Sequence, residues 1–421
     1  MPVISFLPWL ITAAGGYFLF KLRFFFILHP KKTFAAVKTG GRGDFVSLSL
    51  ALAGTLGVGN IVGVSLGISI GGAGAVFWLL LSSLFSSVIK YAEVALSASA
   101  EKSGRGFIGI VKESFGRFGA PLATLFALLC LVLSLTMGSA LQCSAAAECA
   151  QAALKIKREY LLLPILILVA AVTSGGEKFI EKAVSIIIPL TTLVYVFMCF
   201  SVILPNFSRF PAVLSKIFSG AFSLRSAGGG MLGFISSKAI SEGYARGILS
   251  NEAGAGTSSF AHIRGDGRNP HEAGVFGILE VVFDTAVLCS VTAFAILLSP
   301  AHEAGGDFGS MLIAEAFRSV LGDFSVIALF ISVLLFALAT VFCWYYYGTV
   351  AGEYIFGKKF SRFYFFLFLL ASGLGIFIDG ERLIYFTDII LFALSLITLS
   401  TLVKNRKKVY LILPLEFKKK A

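Results

Sequence analysis

Long apolar runs alternate with short polar connections along this chain, and eleven of the runs approach or exceed the length needed to cross a hydrocarbon core about 30 Å thick. They lie near residues 5–28, 45–70, 74–98, 119–152, 160–174, 184–204, 227–262, 273–299, 324–355, 363–378 and 383–403, the fifth and tenth being the shortest. The runs are apolar all round, so periodicity singles out no partner face. The pattern predicts an all-α polytopic membrane protein with about eleven transmembrane helices.

Two runs are interrupted by small and polar residues. Within Ala51 to Gly63 the sequence Gly57-Val58-Gly59-Asn60 sits between Gly54 and Gly63, and each glycine disfavours a continuous helix by about 1 kcal/mol relative to alanine. A break there frees peptide groups, which persist at membrane depth where they face protein or a watery cavity. In secondary transporters such groups hold substrate and ion. The second interruption is Gly243 to Thr257, with Arg246, Gly247, Ser250, Asn251, Glu252, Gly254 and Gly256. Each is followed by a related segment, Ala73 to Trp78 after the first and Glu272 to Gly277 after the second. Five runs in each half is an odd number, so the halves lie upside down to each other. The expected division is an extra N-terminal helix and loop (1–44), a first inverted repeat (45–204), a second (227–403) and a basic tail (404–421).

Composition narrows the function. Of 421 residues, 57% are hydrophobic, only 14% are charged and 42 are phenylalanine, outside the range of soluble domains. The net charge of +12 does not imply a nucleic-acid partner, because the basic residues occupy short connections as the positive-inside rule expects. Lys31, Lys32, Lys38 and Arg42 fall on one side with Lys102, Arg105, Lys112, Arg117, Arg264, Arg268, Lys358, Lys359, Arg362, Lys404, Arg406, Lys407 and Lys408. That side is assigned to the cytoplasm, which puts the N-terminus outside, the C-terminus inside and the protein in the plasma (cytoplasmic) membrane. The opposite side has His302 to Asp307 and Asp379 to Glu381, with Lys155, Lys157, Arg158, Arg209, Lys216 and Arg225 as exceptions. Pro2 to Leu28 lacks a basic leader and a small-residue cleavage site, so it reads as a retained span. The six cysteines lie inside apolar runs, which argues against a disulfide framework or a zinc site. No acid, base and nucleophile cluster together, so no enzyme and no cofactor is expected.

Gly54-Thr55 to Gly63, Gly71 to Trp78, Lys90-Tyr91-Ala92-Glu93, Arg246 to Gly256, Phe283-Asp284-Thr285 and Phe336 to Gly348 together resemble the alanine/glycine:cation (sodium:alanine) symporter family of the amino acid-polyamine-cation superfamily. The resemblance runs from about residue 40 to 355. It implies a five-plus-five inverted repeat with broken helices and one extra N-terminal helix, and uptake of alanine or glycine with a cation, sodium being the first expectation. Three departures bear on the ion. Val58 replaces the usual Thr or Ser, Ala339 replaces a common second hydroxyl beside Thr340, and Ser103 to Phe107 replaces a Gly-Gly-Pro segment. Proton coupling and exchange therefore stay open as alternatives, as does a non-transporting sensor or channel on the same scaffold.

A zwitterion in this setting needs matched partners for both charges. Amides opening the half-helix after Gly59 suit a carboxylate, and Gly57 and Gly59 let main chain approach it. Carbonyls near Ala53 to Thr55 suit an ammonium or an ion, while the same small residues with Asn60 also serve close helix packing. Gln142 offers a donor and an acceptor at mid-span, for substrate or for a neighbouring helix, and the resemblance implies that it lines the site. Trp344 either caps a small pocket or belongs to the core. For sodium, a hard cation, the Thr340 hydroxyl and the carbonyls of Ala53 and Ala339 are the expected oxygens. Asp284, Glu280, Glu252 and Glu93 are candidate proton carriers. Arg246 with Glu252 and Lys90 with Glu93 are alternatively ion pairs that fix the bundle.

Overall fold

The computed structural model describes residues 2–38, 42–100, 106–222, 238–262, 269–304 and 311–418. Lys102, Ser103, Arg105, Arg225, Arg264, Arg268 and Asp307 lie outside the described residues, as do 227–237 of the expected second repeat. The described chain is helical with no strand, one of the two ways a chain in lipid can satisfy its own peptide groups.

In chain order the principal helices are α1 (Pro2–Lys21), α2 (Arg42–Thr55), α3 (Val64–Gly71), α4 (Gly74–Ser99), α5 (Gly119–Leu135), α6 (Gln142–Leu154), α7 (Leu162–Ser174) and α8 (Gly176–Ile203). They continue as α9 (Lys238–Asn251), α10 (Ser259–His262), α11 (Pro270–Val281), α12 (Ser290–Leu298), α13 (Phe324–Phe356), α14 (Phe360–Gly375) and α15 (Gly380–Lys404). Each of the eleven apolar runs contains helix. Among the described residues six helical stretches are long and apolar enough to cross a membrane alone, and a seventh counts if Ser47–Thr55 and Gly59–Gly71, bent by 45°, form one span.

Both predicted interruptions are breaks. The first falls at residues 56–58, after which the chain resumes as a π-turn (Gly59–Gly63) leading into α3. The second turns between α9 and α10 through Glu252 (φ 54°), Gly254 (φ 90°) and Gly256 (φ 73°). Glycine adopts such left-handed angles freely, whereas a glutamate there is uncommon. Further π-turns occur at Thr136–Leu141, between α5 and α6, and at Val282–Cys289, between α11 and α12. Insertions of this kind inside helices gather at functional places, and Val282–Cys289 lies against the π-turn that follows the first break.

Two sets of helices make up the molecule. In one, α4 is wedged between α9 and α11, and α3 lies against α9. Small residues permit the contact: a Cβ on Gly243 would stand 2.4 Å from the Ala75 carbonyl oxygen, and one on Gly247 would stand 2.1 Å from Ser82 Oγ. This is the four-residue spacing by which membrane helices approach closely. In the other set α13 packs along α5 and α6, and α14 packs on α13 and α7. The sets meet where α2 crosses α13, with α8 against both. That seam holds the first break.

Candidate functional site

At the first break the freed peptide groups are taken up by side chains from several helices. Gly57 N–H donates to Asn60 Oδ1 at 3.1 Å, and Val58 N–H donates to Gln142 Oε1 at 3.3 Å. On the preceding side, Trp344 Nε1 donates to the Gly54 carbonyl at 3.1 Å and the Thr340 hydroxyl reaches the Leu56 carbonyl at 3.4 Å. Gln142, Thr340 and Trp344 are all buried. The available amides are thus those of Gly57 and Val58, slightly earlier than the half-helix after Gly59 on which the sequence centred them.

Each of these side chains is aimed by its own surroundings. Gln142 Nε2 donates to the Met137 carbonyl at 3.1 Å in the adjoining π-turn, which turns Oε1 toward Val58. Trp344 fits because Gly138 leaves room: a Cβ on Gly138 would stand 2.2 Å from Trp344 Cβ. Its ring meets that of Tyr347 edge-on at 5.3 Å. Thr340 also donates back to Phe336 O at 3.0 Å, as hydroxyls within helices commonly do. The expected sodium oxygens are placed unevenly. Ala53 and Ala339 are fully buried, but the carbonyl that Thr340 reaches is that of Leu56, beyond Ala53.

Asn60 joins the two breaks. Its Nδ2 donates to Asp284 Oδ1 at 2.7 Å, to the Asp284 carbonyl at 3.0 Å and to Ser250 Oγ at 3.0 Å. Ser250 Oγ also donates to Asp284 Oδ2, and so does Thr285 Oγ1 at 2.7 Å. Asp284 is therefore fully provided with donors. Gly59 lies over this crossing, where a Cβ would stand 3.2 Å from Ser250 Cα.

The two suggested ion pairs are not the ones formed. Arg246 pairs with Asp388 of α15 at 2.5 Å and with Glu242 at 3.4 Å. Glu252 instead accepts from Thr257 Oγ1 at 2.9 Å. A six-residue separation puts Arg246 and Glu252 on different faces, whereas Glu242 lies one turn from Arg246. Lys90 pairs with Glu280 of α11 at 3.3 Å and donates to Ser258 Oγ at 2.6 Å. Glu93 accepts the Gly254 N–H at 2.5 Å, because the second break presents an amide to it.

Sequence reasoning gave no individual role to Asp388, Ser250 or Thr285. Asp388 is an acid inside an apolar run, a signal worth reading by itself, while the two hydroxyl residues had nothing in their spacing to distinguish them. Chemically, the first break offers amide donors, carbonyl acceptors and a hydroxyl in a water-excluded place. Such a set suits a small zwitterion and a hard monovalent ion.

The model of the sodium:alanine symporter family matches residues 2–419. An uncharacterized transporter of Haemophilus influenzae is 30% identical over 413 residues, covering 94% of this chain and 90% of that protein. The sodium/alanine symporter AgcS of Methanococcus maripaludis is 28% identical over 370 residues, covering 85% of this chain and 79% of that protein. A manganese transporter mutant from Eremococcus coleocola shares the fold, with a TM-score of 0.56 at 15% identity over 89% of this chain and 85% of that one.

Proposed function

We propose that this chain, which belongs to the sodium:alanine symporter family, is a secondary active symporter that imports a small neutral amino acid, alanine or glycine, with sodium as the coupling cation. The supporting observation is the set of stand-in hydrogen bonds at the first break. Gln142 Oε1 accepts from the Val58 amide where a substrate carboxylate would, and a charged acceptor makes the stronger bond. Trp344 Nε1 donates to the Gly54 carbonyl where an ammonium would.

Substrate entering between α2, α6 and α13 displaces these partners, and Gln142 is then free to donate to its carboxylate. The contact between Trp344 and Gly138 keeps the space small, which favours a short side chain. Sodium fits beside the Thr340 hydroxyl and the Leu56 carbonyl, with the Ala53 and Ala339 carbonyls as further oxygens. Substrate and ion then stabilise the same arrangement of the break, so each tightens the other's binding. Nothing in this scheme calls for catalysis, a cofactor other than the coupling ion, or nucleic acid. The protein would sit in the plasma membrane with its N-terminus outside and its C-terminus in the cytoplasm.

Purified protein in vesicles tests the reading. An inward sodium gradient should drive accumulation of labelled alanine or glycine above equilibrium. Equal uptake with sodium, potassium or a proton gradient removes cation coupling, and absence of counterflow removes transport.

A further inference from the structure

Around the second break a group of ionisable side chains is closed off from solvent. Lys90 and Glu93 of α4, Glu252 of the break, His262 of α10 and Glu280 of α11 are each at most 1% exposed. Three carboxylates thus share one ammonium, and an enclosure of low dielectric does not hold surplus negative charge without a counterpart.

The three acids are served differently. Glu280 accepts from Ser258 Oγ at 2.8 Å and meets His262 Nε2 at 2.9 Å, in addition to the Lys90 ammonium. Glu93 Oε1 takes the Gly254 amide, with the Gly256 amide also directed at this carboxylate, and its Oε2 is buried with no hydrogen-bond partner among the described residues. Glu252 has a single donor, the Thr257 hydroxyl on Oε2. Its Oε1 is buried with no hydrogen-bond partner among the described residues, and its backbone is held at φ 54°, a strain that structures tolerate where a residue has work to do. The charged or titratable groups that act on it are Lys90, Glu280, Asp284 of the π-turn after α11, Cys130 of α5 and Tyr347 of α13, while Glu93 faces the same Lys90 ammonium. Among the described residues no three His, Cys, Asp or Glu side chains converge as a metal-ion set. A single small positive charge is what this place lacks.

We propose that Glu252 is a proton-binding site built into the second break, occupied when the break is enclosed and vacated when it opens. In the enclosed form the proton is bonded to Glu252 and the carboxyl is neutral. On opening, that O–H bond breaks, the proton passes to water on the side then exposed, and the carboxylate left behind is hydrated rather than buried. Proton occupancy therefore biases the same two conformations that substrate does. The inference rests on the chain being an amino-acid symporter, and alanine counterflow at fixed pH tests that reading separately.

The experiment uses the full chain in vesicles, with potassium or choline replacing sodium in parallel arms and a pH-sensitive dye in the lumen. The apparent affinity for alanine should fall by about tenfold per pH unit above the titration of Glu252, and alanine entry should acidify the lumen. Glu252→Gln, which resembles the neutral acid, should give a flat pH profile and no acidification. Counterflow that is independent of pH in the wild type overturns the proposal. So does a pH profile that survives in Glu252→Gln, which places the proton elsewhere, or an affinity that follows sodium and ignores pH, which makes sodium the missing charge. The wild type alone supplies a readout should the variant fail to fold. An infrared carboxylic-acid carbonyl band should disappear over the pH range in which affinity changes, and its absence throughout overturns the assignment.

Discussion

Gly57 illustrates how narrowly the first break is fitted. A methyl group there would stand 2.6 Å from Thr340 Oγ1 and 3.2 Å from Gln142 Oε1, so Gly57→Ala intrudes on both the proposed ion oxygen and the proposed carboxylate position. Overpacking of this kind costs about 1–3 kcal/mol, and alanine affinity in counterflow should weaken by roughly tenfold. Gly16→Ala in α1, where nothing lies within 4 Å of the added carbon, provides the control. Unchanged affinity in a Gly57→Ala protein that elutes like wild type would remove the break from the substrate's path. At this scale the sequence was informative where chemistry is unusual for a membrane: Gly57, Asn60, Gln142 and Trp344 all reach the first break. It gave Ser250 and Thr285 no individual role, because a hydroxyl in an apolar run is ordinary until its partner is known.

The pairing of elements was harder to read. Glycine clusters betrayed both broken helices, since lipid penalises exposed peptide groups wherever a helix stops, but the ion pairs join residues far apart in the chain. Arg246 reaches Asp388, 142 positions away, and with it α9 is tied to α15, while a Cβ on Gly67 of α3 would stand 2.8 Å from the Arg246 stem. Local spacing suggested Glu252 instead, because spacing measures only neighbours on one helix and ignores the faces that packing brings together. Asp388→Asn leaves the buried guanidinium with Glu242 alone. Removing one partner of a buried pair costs roughly 3–5 kcal/mol, so the variant should melt well below wild type in detergent. The double variant Arg246→Met with Asp388→Leu should recover much of the loss, because apolar replacement of both partners is often neutral. Equal melting of Asp388→Asn and wild type would show that the pair does not hold α9 to α15.

Across the whole molecule, the two sets of helices touch at the first break through hydrogen bonds that a ligand could replace. Gln142, Thr340 and Trp344 belong to α6 and α13, whereas their main-chain partners belong to the last turn of α2 and the break after it. Movement of one set against the other therefore has to part these contacts first. Which helix faces meet at that seam follows from packing and not from the order of the runs. Cys343 of α13 reports on it directly, because its thiol donates to the Leu50 carbonyl of α2 at 3.1 Å. In a protein retaining Cys343 alone among the six cysteines, labelling by a small permeant maleimide should proceed without ligand and slow markedly with alanine and sodium, which hold the seam closed. A protein retaining only Cys143 of α6, which lies toward Ser372 of α14 inside one set, should label at a rate indifferent to ligand. If both thiols respond alike, the sets do not separate along this line, and access to the break must come from local opening of α2 and α3 while α13 stays in place.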